Sequence, residues 1–127
     1  MSVQNLASGQ INSVDIPCTV SGAITGSVSI NLKRLNNIVY LSFGLISGTA
    51  AALPSIILTP DIPVPVQFRP LAGIWRNVSV GTSTAAAAGI LTCPNTLSPL
   101  TFTLVAGGNF ATVAGTTDNT IMWNAVN

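Results

Sequence analysis

Between residues 27 and 43 the chain alternates apolar and polar side chains with a period of two, pauses once, and resumes. Val28, Ile30 and Leu32 take one face and Ser27, Ser29 and Asn31 the other; Val39, Leu41 and Phe43 continue the pattern after Asn36-Asn37. That period fits a strand with one buried face and does not fit a helix stripe. Asn tolerates positive φ, so Asn36-Asn37 is read as the turn of a hairpin. The alternation returns at Leu100, Phe102 and Leu104, spaced by Thr101 and Thr103 and ended by Gly107-Gly108-Asn109. Further strands are expected near 13–20, 74–81, 87–92, 110–114 and 119–125, each bounded by turn-forming residues. Helical spacing is not sustained anywhere. The run Ala85-Ala86-Ala87-Ala88 is too short for a helix in water and is read as a tight packing surface within a strand.

The expected class is therefore all-β, an antiparallel β-sandwich of the jelly-roll type. A length of 127 residues suits one domain with one core. Residues 1–12 are read as a flexible or inter-subunit arm. The stretch from Ala50 to Pro70 holds Pro54, Pro60, Pro63, Pro65 and Pro70. Proline cannot donate to a central ladder, so this stretch is expected to be a loop crossing between sheets, with an edge strand at 55–58 and an extended Pro63-Val64-Pro65.

Charge narrows the function classes. Only Lys33, Arg34, Arg69, Arg76, Asp15, Asp61 and Asp118 carry a formal charge, and there is no His and no Glu. Ordinary soluble domains have roughly a quarter of their residues charged. Without His, a Ser–His–Asp or Cys–His arrangement cannot be built, and no dinucleotide, Walker or nucleophile-elbow motif is present. The chain is read as a non-enzyme with no cofactor. Its net charge of +1 gives no footprint for nucleic acid. The three aspartates sit before a strand, in the proline-rich stretch and in a turn, where bonding to local backbone is the expected role; a calcium site would need two of them side by side.

A membrane span needs about 20 consecutive apolar residues. The best candidate, Phe43 to Leu58, is broken by Gly44, Ser47, Gly48, Thr49, Pro54 and Ser55, so no membrane insertion is expected. Met1 to Leu6 shows neither the basic nor the apolar region of a secretory signal. Cys18 and Cys93 are either a disulfide or two buried thiols; on that reading the buried, reduced pair is favoured, and the sequon Asn77-Val78-Ser79 is incidental.

The side chains left to carry function are few. Tyr40, Phe43, Trp75 and Trp123 are the candidate anchors, either in the core, in a subunit interface, or as a platform for stacking a ligand. Arg69 and Arg76 are the candidate partners of Asp61 and Asp118 in ion pairs between subunits.

From residue 20 onward the order of features is similar to a known family. Gly26-Ser27-Val28-Ser29-Ile30 leads into the hairpin, then come Ile38-Val39-Tyr40-Leu41, Leu53-Pro54-Ser55, Phe68-Arg69-Pro70, Gly89-Ile90-Leu91, a glycine turn before Phe110 and a closing Thr120-Ile121-Met122-Trp123. This resembles the C1q/TNF-like jelly-roll heads, especially those of viral and phage fibre or spike proteins. The chain departs from them in the twelve residues, three of them proline, between Pro54-Ser55 and Phe68-Arg69. The resemblance implies a compact homotrimer on a virion surface that binds a host receptor, a glycan or another capsid protein through its loops. A lectin-like carbohydrate-binding domain and a minor capsid or cement protein are the alternatives.

Overall fold

The structure, a computed structural model, describes residues 12–44, 46–81, 86–110 and 121–125. These form nine strands: β1 (Asn12–Gly22), β2 (Ile24–Leu35), β3 (Ile38–Phe43), β4 (Ser47–Ala50), β5 (Ser55–Pro60), β6 (Ile74–Gly81), β7 (Ala86–Cys93), β8 (Leu100–Leu104) and β9 (Ile121–Asn124). A single 3-10 turn, Val66–Phe68, is the one helical element among the described residues. Every strand pairing is antiparallel, in the order β6-β7-β8-β5-β1-β2-β3-β9, with β4 also against β2.

The alternating residues are the core, as their period requires. Ile16, Cys18 and Val20 of β1, Ile30 and Leu32 of β2, and Val39, Leu41 and Phe43 of β3 are buried, together with Ile56 and Leu58, Leu100 and Phe102, and Ile121 and Trp123. They join in one cluster. The sheet must curl to bring them together. Phe43 on β3 and Phe102 on β8 are four strand positions apart, about 19 Å across a flat sheet. Their rings meet edge to face with centroids 5.8 Å apart.

Two local devices produce this shape. The first is a bulge. Ile30 faces Phe43 and Ser27 faces Ser47, so the register along β2 slips by one residue between β3 and β4. A one-residue slip of this kind is the register change of a β-bulge. It also reverses the inward parity: Phe43 is buried before the bulge and Ile46 after it. The second device is the tip of the β1–β2 hairpin. Gly22 has φ +87°, and a Cβ there would collide with the Ser55 carbonyl oxygen, so only glycine fits. Ala23 N–H donates to Ser55 O (2.7 Å), and Ala51 N–H donates to Ala23 O (2.9 Å). The linker from β4 to β5 thus passes over the hairpin tip and sets β5 beside β1, the Greek-key order.

The interior position of β5 corrects the expectation for 50–70. Residues 55–60 pair with β1 on one side and β8 on the other, so they are a central strand, neither loop nor edge. The prolines permit this because they lie at its ends: Pro54 precedes the strand and Pro60 takes its last rung, opposite Cys18. Pro17, within β1, is accommodated by the same logic. Its carbonyl accepts from Asp61 N–H (2.8 Å) where the β1–β5 ladder ends, so its missing donor faces no further rung. Pro65 is extended, with φ −58° and ψ 143°. The arm 1–12 falls outside the described residues except for Asn12, the first residue of β1; a strand at 110–114 lies outside them beyond Phe110.

Candidate functional site

The connection between β7 and β8, residues 94–99, stands at the end of the sheet where β5 finishes and β6 begins. Leu97 organises it. Its N–H donates to Pro94 O (2.9 Å), its backbone is left-handed at φ 61°, and its side chain is fully buried. A left-handed leucine costs roughly 1–2 kcal/mol, and burying the side chain contributes roughly 1.5–3 kcal/mol in return. With Leu97 as its plug, the connection presents Pro94 and Pro99 to one side and Thr96 and Ser98 to the other. A groove runs along each side.

The first groove, about 400 Å³, is lined by Trp75, Thr92, Thr101, Pro94 and Pro99, with Gly73, Ile74 and Cys93. Trp75 lies opposite Thr92 on β7, and Thr92 opposite Thr101 on β8. One indole and two hydroxyls therefore form a straight row across three strands. Trp75 is 60% exposed.

The second groove, about 380 Å³, holds Asp61 and Arg69 with Pro60, Ile62, Pro63, Val64, Thr96 and Ser98. Asp61 accepts a hydrogen bond from the Thr19 hydroxyl (2.7 Å), while Arg69 Nε donates to Val64 O (2.8 Å). Two of the seven charges thus share a groove, each already held by a neutral partner. Asp118 and the side chain of Arg76 lie outside the described residues.

The aromatic candidates separate. Phe43 and Trp123 are core residues, and Trp123 is 3% exposed with its indole N–H donated to Phe68 O (3.0 Å). That burial removes both as stacking platforms. Tyr40 is half-buried on β3, opposite Met122 and Lys33. Trp75 alone of the four is open to solvent.

Arg34 was unassigned by sequence and has a defined role: Nε donates to Asn36 O (2.7 Å) and Nη1 to Gln67 O (2.8 Å), fastening the 66–68 turn to the β2–β3 turn. Ala125 N–H donates to Asn37 O (2.7 Å), and Pro70 bridges to Ala125. Leu35, Val66 and Leu71, all exposed, ride on these joined segments.

Cys18 and Cys93 are both buried and form no disulfide. Burial pushes the Cys18 thiol up to about 11, with the Asp61 carboxylate adding to the rise and a backbone hydrogen bond from Ile30 opposing it. Its Sγ donates weakly to Ile16 O (3.6 Å). A thiol held protonated in this way is a packing group, not a nucleophile. Among the described residues, no three of Cys, Asp, Glu or His come together as metal ligands, and no helix is long and apolar enough to cross a membrane. No protein-family model, curated protein or solved structure matches the chain.

Proposed function

We propose that this protein is a non-enzymatic structural or attachment module that works as a homotrimer, a jelly-roll head of the fibre or spike type on a virion surface. The observation that carries the oligomer is the apolar surface at one end of the subunit. Leu71 is 72% and Val66 61% exposed, with Leu35 beside them on segments tied together by Arg34 and Ala125. Large apolar side chains grouped in solvent mark an interaction surface, and this chain has few charges to keep them wet. A second copy related by a closed rotation is the simplest cover. The curled antiparallel sheet with its Greek-key order supports the jelly-roll reading, and the virion setting is supported by the resemblance of the sequence to fibre heads. Sedimentation equilibrium at micromolar concentration is expected to give three times the subunit mass, and Val66→Asp with Leu71→Asp is expected to give monomer. A native chain that stays monomeric overturns the reading.

A further inference from the structure

Trp75 is held beside Thr92 and Thr101 by the ladder of three strands, not by a loop. Successive strands are about 4.8 Å apart, so the backbones of Thr92 and Thr101 lie about 5 and 10 Å from that of Trp75. Thr92 is exposed and Thr101 half-buried. The walls are Pro94 and Pro99, which have no backbone donor and little freedom. Among the described residues, no charged side chain lines this groove, in contrast to its neighbour with Asp61 and Arg69.

Each element restricts the ligand. An exposed indole face beside a rigid wall takes a flat surface of C–H groups. Hydroxyls that both donate and accept suit a ligand rich in hydroxyls. The absence of charge gives no reward to phosphate, carboxylate or ammonium, whose desolvation would go uncompensated. A sugar ring has one apolar face and a rim of hydroxyls, and an unbranched oligosaccharide is long enough to follow the row from Trp75 to Thr101. We infer that the Trp75–Thr92–Thr101 groove is a binding site for a neutral oligosaccharide, stacked on Trp75 and hydrogen-bonded through the two threonines. The inference does not depend on the trimer.

The chain supplies its own reporter. It has two tryptophans, and the buried Trp123 is shielded from an external ligand. Titrating the full chain with neutral glucose-, galactose- and N-acetylglucosamine-based oligosaccharides is expected to change the emission saturably and to protect it from acrylamide for at least one of them. Trp75→Ala is expected to weaken binding roughly tenfold or more. Thr92→Val with Thr101→Val is expected to weaken it roughly threefold to tenfold with the stacking retained; this second variant serves if the tryptophan variant misfolds. Absence of saturable binding up to millimolar sugar overturns the site, as does an affinity left unchanged by loss of Trp75 or of both hydroxyls. Sedimentation of Trp75→Ala runs in parallel. If that variant dissociates while the native chain binds no sugar, Trp75 is a subunit anchor, the sugar site is rejected and the oligomer stands.

Discussion

Cys18 shows how one side chain links packing to solution behaviour. Its thiol is buried beside Asp61, and its folded pKa is raised from 9.0 to about 11. The folded state therefore holds this proton more tightly than the unfolded chain does. Stability from the site is complete below about pH 9 and is lost as pH rises through about 11, roughly 3 kcal/mol in all. Urea unfolding of the native chain and of Cys18→Val across that range should diverge, the native chain losing stability faster. Parallel curves would remove the assigned cause. Leu97 teaches a different lesson at the same scale. Nothing in Pro94-Asn95-Thr96-Leu97-Ser98-Pro99 announces a left-handed leucine, because the cost of that backbone is met by a pocket built from distant strands. Asn36, at φ 56°, was legible because its reason is local.

Among the elements, the tip of the β1–β2 hairpin is the most constrained. Gly22→Ala adds strain from positive φ to a collision with the Ser55 carbonyl, which is backbone and cannot step aside. A loss of roughly 2–4 kcal/mol is expected by chemical denaturation, whereas Gly107→Ala, with open space around it at φ 75°, should lose only the conformational part, roughly 1–2 kcal/mol. Equal losses would mean that the collision is relieved elsewhere. The strands themselves were readable wherever one face is buried: 74–81 and 100–104 coincide with β6 and β8, and 13–20 falls inside β1. The central place of β5 was not readable. Five prolines between 50 and 70 suggest a loop, and only the pairing shows that Pro54 and Pro60 bracket a strand while the other three lie beyond it. Of the candidate anchors, residue type could not separate exposed Trp75 from buried Trp123, since alternation shows which residues share a face and not which face is covered. Thr92 and Thr101 enter the site through register, which depends on turn lengths that composition does not fix.

Taken as a whole, the molecule presents few fixed charges to solvent, and its response to salt should follow. The proposed interface at Leu35, Val66 and Leu71 is expected to gain or hold affinity as sodium chloride rises, because screening acts on charges alone and salting-out favours burial. If pairs such as Asp61 with Arg69 of another copy dominated, affinity would fall between 0.05 and 1 M salt, on the order of the range over which the Debye length shrinks to about 3 Å. Sedimentation at the two salt concentrations is expected to show no loss of oligomer.

The register that closes this sheet also decides how long the chain spends unfinished. β3 can pair with β2 early, across the two-residue turn, but its other edge waits for β9, and Ile38 meets Asn124, 86 positions away. β5 likewise reaches β1 across about 40 positions, Cys18 to Pro60. Contacts so distant in sequence put folding in the millisecond-to-second class. During that interval the strands stand with open edges, and few Lys, Arg, Asp or Glu side chains are present to keep those edges from pairing with another chain. The scarcity of charge that shapes the finished surface therefore acts first on newly made protein: yield at high synthesis rate is governed by competition between closure of the sheet and association of half-formed copies.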